Sequence, residues 1–186
     1  NNHPKPKKLV TADDWPADLP VHPQGVTQIK FKEKIEELSG GTIKVQNYAS
    51  GTLFTQVGEV TAMMNGDLEL STLAFQDMSP YVPTAAMFAA PYAFTSYEHM
   101  EKVFAKNSKV AADFYAMISA KCNYTPLAAM TQGSRVLNLK KMDPVKTPAD
   151  MKGVNLRMPN APSWIDAGKS LGANVTPVAY AETYTA

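Results

Sequence analysis

Two periodicities alternate along the chain. Lys8 to Ala12 is a short, mostly apolar run of strand length. From about Gly25 to Ser39, Phe31, Ile35 and Leu38 recur at the spacing of one helix face, while Lys30, Lys32, Glu33 and Glu36 supply a solvated side. Gly40-Gly41 ends that helix, because glycine takes the left-handed cap conformation without a Cβ clash. Thr42 to Tyr48 changes to strand rhythm, Ile43 and Val45 alternating with polar neighbours. Gln56 to Asn65 is helical again, with an apolar stripe of Val57, Val60, Met63 and Met64, and Asn65-Gly66-Asp67 breaks it. Leu68 to Phe75 reads as a third, mostly buried strand. The order β-α-β-α-β at this spacing predicts a mainly parallel α/β sheet with right-handed crossovers.

Farther along, a Pro-rich loop (Ser79 to Pro91) leads to two helices, Tyr97 to Lys106 and Val110 to Lys121, and then to two strands, Thr125 to Thr131 and Arg135 to Leu139. Thr147-Pro148-Ala149-Asp150 has the chemistry of a helix start: a capping Thr, a Pro suited to the first turn, and an Asp at the positive end of the dipole. A strand, Val154 to Met158, runs through Pro159-Asn160-Ala161-Pro162 into a helix to about Leu171, whose inner face is marked by Trp164, Ala167 and Leu171. A further strand, Val175 to Val178, precedes a helix start at Glu182. That helix begins where the sequence stops, so the chain reads as the N-terminal part of a longer protein.

Composition changes this picture little. The chain has 186 residues, 45% of them apolar, and 18 basic against 17 acidic side chains, an ordinary globular balance. So even a charge carries no footprint for nucleic acid. The single cysteine, Cys122, excludes an intrachain disulfide and a cysteine-rich zinc site; it fits a cytosolic or a periplasmic protein equally, as a small residue packed near a helix end. The longest apolar stretch, Ala85 to Phe94, is interrupted by Pro91 and is shorter than the roughly 20 residues that span a bilayer, so no direct membrane insertion is expected. The polar start, Asn1-Asn2-His3-Pro4, fits a mature protein whose signal peptide has been removed, as it fits any other internal starting point.

Arg157 is the first residue with chemistry to offer. Val154, Leu156 and Met158 share one strand face; Arg157 lies on the other, at the carboxyl end of its strand and just before a helix start. Ligands of open α/β sheets bind at that end, and a helix N-terminus favours an anion. A guanidinium presents a planar fork of donors to a carboxylate. By pattern alone Arg157 is either such a clamp or an exposed or salt-bridged arginine at a strand end. Asn160 reads as the N-cap of the following helix and lies beside Arg157. Arg135, after the turn-like Gln132-Gly133-Ser134, reads by default as a surface residue. No nucleotide, zinc-protease or serine-hydrolase fingerprint is present, and His3, His22 and His99 pair with no nucleophile at a defensible spacing. No cofactor or metal is expected.

Several segments together resemble one family. Gly153-Val154-Asn155-Leu156-Arg157-Met158-Pro159-Asn160-Ala161 resembles the K-x-R-x-P-N signature of the DctP-type solute-binding proteins of TRAP transporters. Glu36 to Tyr48, Ser50 to Leu53, Ala86 to Phe94, Thr147 to Gly153 and Thr176 to Tyr184 resemble further family segments in the same order, so the likeness runs through nearly the whole chain from about Gly25. The resemblance implies a two-domain periplasmic-binding-protein fold, type II-like, with the ligand in a cleft between α/β domains that close around it, incomplete here at the C-terminus. Residues 1–124 would be the first domain; 125–186 would hold the crossing strand and the start of the second. It implies a periplasmic protein, not an enzyme, that captures a small organic acid and delivers it to TRAP membrane permease subunits. By the same resemblance Arg157 grips the ligand carboxylate and Arg135 is the family's second arginine. Asn160 falls on the motif's Asn, and Tyr180 falls at an aromatic position over the ligand. Gln56, Phe75 and Gln76 line the cleft from the first domain, as does Trp15 from the loop after the first strand. The rival reading is an α/β enzyme acting on a small carboxylate or phosphate.

Overall fold

The structure, a computed structural model, describes residues 7–13, 23–140 and 143–186. Its first sheet is built from β1 (Lys7–Ala12), β2 (Ile43–Tyr48) and β3 (Leu70–Ser71), ordered β2-β1-β3. Both pairings are parallel, running from Lys7↔Ile43 to Ala12↔Tyr48 on one side of β1 and through Thr11↔Leu70 and Ala12↔Ser71 on the other. Parallel neighbours need a long crossover, and α1 (Pro23–Leu38) and α2 (Gln56–Asn65) supply the two. All three strands therefore end on the same edge of the sheet. Helix α2 starts on Thr55, whose side chain accepts from the Gly58 N–H, and stops at Gly66, where φ is 82°.

Helix α1 is fastened to the exposed edge of β2 by two of its charged residues. The Glu36 carboxylate accepts from the Val45 N–H at 3.0 Å, and Lys32 donates to the Val45 carbonyl at 2.8 Å. One turn of helix thereby satisfies the outward backbone groups of an edge strand that would otherwise invite another chain. Lys32, the Val45 N–H and then Lys44 hold the Glu36 carboxyl down at about 2. The apolar reading of α1 is only half right. Gln24 and Gln28 lie in its buried face, and Leu38 is 72% exposed.

The main core lies on the other side of α2, where α4 (Lys109–Cys122) brings Phe114, Ile118 and Cys122 against Met78, Val82 and Ala85. Phe75, Phe88, Phe104 and Phe114 pack there ring against ring, with centroids 4.8 Å apart for Phe88–Phe114 and 5.1 Å for the edge-on Phe75–Phe114 pair. Between these helices lie α3 (Tyr97–Val103) and two short 3-10 segments, Phe75–Met78 and Pro83–Ala89. Among the described residues no helix is long and apolar enough to cross a membrane.

A second sheet pairs β4 (Asn155–Met158) with β5 (Asn174–Pro177), again parallel, with Arg157 opposite Thr176. Helix α5 (Pro162–Ser170) makes the crossover and lies against the Met158 side of the sheet. The approach is close at Gly168, where an added Cβ would stand 2.7 Å from Val175 Cγ2 and 3.0 Å from Met158 Cγ.

Four expectations need correction. The segments 125–131 and 135–139 form no strand. No described strand runs beside them to complete a ladder, and Leu127 and Val136 are 72% and 77% exposed. The third strand is only Leu70–Ser71: at its start the Val10 N–H is taken at 2.9 Å by the Glu69 carboxylate, so the ladder with β1 begins one residue later, and Phe75, its expected end, opens a 3-10 turn instead. Asn160 is not the N-cap of α5. Pro162 takes the first helical position, which makes Ala161 the cap and leaves Asn160 exposed one residue earlier. Finally, the helix start near Glu182 is a single 3-10 turn, Tyr180–Glu182.

Two outcomes follow from this packing. Gly168→Ala should cost about 1–3 kcal/mol, the usual range for overfilling a packed contact, and lower the melting temperature of the full-length protein by several degrees; an unchanged melt would refute the close approach. Glu36 has a folded pKa of about 2 against an ordinary 4.5, so it adds stability above pH 4.5 that is lost as pH falls towards 2. Glu36→Gln should therefore melt lower than wild type near neutral pH and converge with it in acid, read by circular dichroism across a pH series.

Candidate functional site

The edge at the carboxyl end of the second sheet collects three of the residues named from sequence. Arg157 projects from β4 on the side opposite Leu156 and Met158, and is half-buried. Its Nε donates to the Val178 carbonyl, just past β5, at 2.9 Å. The Val178 N–H in turn donates to the Met158 carbonyl at 3.1 Å, so the backbone that holds the arginine is itself locked to β4. Asn160 and Tyr180 stand in the two loops that leave this edge, one after each strand, and both are exposed. A guanidinium oriented by its own sheet, at a strand end beside a helix start, is suited to bind an anion without reorganising.

A second group forms where α5 meets the first sheet's helices. Gln56, the first residue of α2, donates from Nε2 to Asp77 Oδ2 at 2.7 Å, and Asp77 is only 2% exposed. Gln76, also buried, offers its backbone carbonyl to Ser163 Oγ on α5 at 3.4 Å. Arg135 arrives from the extended segment after α4, and its guanidinium carbon lies 4.6 Å from the centre of the Trp164 ring. Burial pulls the Arg135 pKa down, while the negative charge of Asp77 pulls it back up. Arg135 keeps part of its side chain in solvent, whereas Trp164 is 8% exposed.

Phe75 stands apart from both groups. Its ring contacts Phe88, Phe104, Phe114 and Tyr115, so the aromatic core accounts for it. Trp15 lies outside the described residues. Asp77 and Ser163 were not singled out from sequence. A carboxylate inside the otherwise core-like run Phe75-Gln76-Asp77-Met78 was the available sign of Asp77, since an acid is seldom buried unless paired. Trp164 was read only as an inner-face helix residue. Among the described residues, no three of His, Cys, Asp and Glu stand together as a metal site.

The model of the DctP family, bacterial extracellular solute-binding protein family 7, matches residues 16–186. The C4-dicarboxylate-binding protein DctB of Bacillus subtilis is 30% identical over 81% of this chain and 42% of its own length. A TRAP periplasmic solute-binding protein from Roseobacter denitrificans, solved with bound 3-deoxy-D-manno-oct-2-ulosonic acid, superposes with a TM-score of 0.87 at 30% identity, covering 97% of this chain and 58% of that one. A second from the same organism, solved with L-galactonate, gives 0.84 at 27% identity over 97% of this chain and 58% of that one. The chain spans about half the length of the curated relatives it matches. The neighbours have the two-domain periplasmic-binding-protein architecture, of which this chain covers part.

The place of Phe75 can be tested directly. Phe75→Leu should lower stability by about 1–3 kcal/mol, as core changes commonly do, and leave affinity for a carboxylate ligand nearly unchanged by calorimetry. Loss of affinity at an unchanged melting temperature would instead put the ring against the ligand.

Proposed function

The chain belongs to the DctP family of bacterial extracellular solute-binding proteins, and we propose that it is the N-terminal part of a TRAP-type periplasmic subunit that captures a small organic acid for a membrane permease. The observation that carries this reading is Arg157, oriented by the Val178 carbonyl at the carboxyl end of a parallel strand pair. In the proposed complex Arg157 makes a two-pronged salt bridge with the ligand carboxylate. Arg135 adds a second cation, Asn160 and Tyr180 contact the ligand from the loops of the same edge, and Gln56 and Gln76 support the wall on the first lobe. Trp15 and Phe75 complete the set proposed for the cleft, Phe75 from the aromatic core behind Gln76 rather than in contact with the acid. Residues 1–124 are proposed as the first lobe and 125–186 as the crossing segment and the start of the second.

Several relatives and neighbours are named for acids: a C4-dicarboxylate, 3-deoxy-D-manno-oct-2-ulosonic acid and L-galactonate. A sugar acid or a short dicarboxylate is therefore the ligand class proposed here. The same names describe binding proteins, which favours capture and delivery over catalysis. Closure of the cleft around the acid would exclude water and strengthen the charge pair.

A melting screen of the full-length protein against galactonate, 3-deoxy-octulosonate, succinate and matched neutral sugars tests the reading. A ligand present at a hundred times its Kd adds about 2.7 kcal/mol of stability, so an acid of the correct class should raise Tm by several degrees while the neutral sugars do not. Arg157→Ala should abolish that shift with the fold intact, since leaving one member of a buried charge pair alone costs about 2–5 kcal/mol. A stabilising acid that binds Arg157→Ala as tightly as wild type would sink the assignment of Arg157. A panel without any response from well-folded protein would count against an organic-acid carrier.

A further inference from the structure

We propose that Trp164 is a positioning residue for the ligand anion: its indole face holds the Arg135 guanidinium at the junction of the two sheets and so sets where that cation meets a carboxylate. The inference rests on the reading of the cleft as a carboxylate site, and it adds a residue that the family signature does not single out.

The geometry is specific. Arg135 comes from a stretch with no strand or helix of its own, 125–139, so regular backbone structure does not aim its side chain. What meets the guanidinium is Trp164, with 4.6 Å between the cation's carbon and the ring centre. Indole has the strongest quadrupole among the aromatic side chains and is the best partner for a cation. Such a hold draws on the ring face rather than on an acceptor atom, so it need not consume the N–H donors that a carboxylate would take. The ring is well anchored. Trp164 is 8% exposed and lies in the first turn of α5, next to Ser163, which donates to the Gln76 carbonyl across the junction. Among the described residues its indole N–H has no hydrogen-bond partner. Packing and the cation on its face, rather than a hydrogen bond, therefore account for its orientation. The negative charge of Asp77 also favours the charged form of the arginine that the ring face holds.

The test uses the full-length protein, with the best-binding acid of the melting panel as probe, and has two arms. The first needs no ligand. The chain has two tryptophans, Trp15 and Trp164. Arg135→Met should change the indole emission of wild type and should leave unchanged the emission of Trp164→Phe, which lacks only the Trp164 indole. An equal change in both backgrounds, or none in either, overturns the contact. The second arm measures Kd by calorimetry. Trp164→Leu should weaken binding roughly 3- to 30-fold, the span expected for a cation–π contact that is partly or fully desolvated. Trp164→Phe, which keeps a ring face, should lose clearly less. In an Arg135→Met background the Leu substitution should have little further effect. Equal losses for Leu and Phe, or an undiminished Leu effect without the arginine, would show a packing role only and overturn the proposal. If Trp164→Leu does not fold, the Phe variant against Arg135→Met decides, because additive losses exclude action through the arginine. If no acid binds wild type, the carrier reading has failed, and the emission arm still reports whether the contact exists.

Discussion

The position of β1 between two parallel neighbours decides where this chain can present polar chemistry. With β2 and β3 both running in its direction, the three carboxyl ends meet at one edge, and the right hand of the crossovers puts α1 and α2 where they cover the sheet. The residues at that edge are unusually polar for their burial. Thr11, Asp13, Gln24, Gln28 and Glu59 are all buried there or beside it. Three of them are tied to neighbouring elements: Thr11 donates to Asn47 at 2.7 Å, Gln28 to Thr72, and Ser71 to Glu59. Buried polar groups are tolerated when paired and costly otherwise. The network therefore fixes strands and crossover helices relative to each other, and a rigid edge is what a ligand site needs beneath it.

Charge is used in two ways in this fold. Around Glu36, Lys32 and Lys44 the groups face solvent, and their work is to secure α1 against the edge of β2. Isolated ion pairs at such a surface add little; what gives this one weight is that both outward backbone groups of Val45 are engaged as well. Asp77 is buried, while Arg135 lies against the Trp164 ring with part of its side chain in solvent. A cation held on a ring face and still open to solvent is better suited to meeting an incoming anion than to holding a structure together.

Much of the frame was legible because it is local. The crossover α2 was readable from Val57 to Met64, and its stop from Asn65-Gly66, a cap whose geometry the sequence dictates. Arg157 was readable because a period of two puts it opposite Leu156 and Met158 on a strand that runs into a helix. What was not legible depends on partners distant in sequence. The apolar alternation of 125–139 has strand character, but a strand exists only where another backbone lies beside it. The first sheet shows the same limit at Glu69, whose carboxylate takes a ladder bond from Val10, something no propensity can announce. Asn160 failed as a cap for a nearer reason: Asn and Ala compete for a position that Pro162 assigns to Ala161. The partnership of Trp164 and Arg135 joins residues with no periodic relation, so neither position alone could suggest it.

The two arginines proposed for the ligand are held by different kinds of force, and the difference bears on selectivity. Arg157 is held through a hydrogen bond from Nε to a backbone carbonyl, an interaction that weakens steeply with angle and so fixes the plane of the fork. Arg135 lies over a ring, an attraction to a π face that places the cation while leaving its N–H donors for a ligand. A carboxylate common to all ligands calls for the first kind of hold. A hydroxyl, oxo or second carboxylate group that varies from one acid to the next is better met by the second. Closure would sharpen this division, because removing water strengthens the electrostatic pull of both cations while only Arg157 has its direction already set by the sheet. In such a site the anchor would provide affinity for the class, and Trp164, which holds the second cation, would decide among its members.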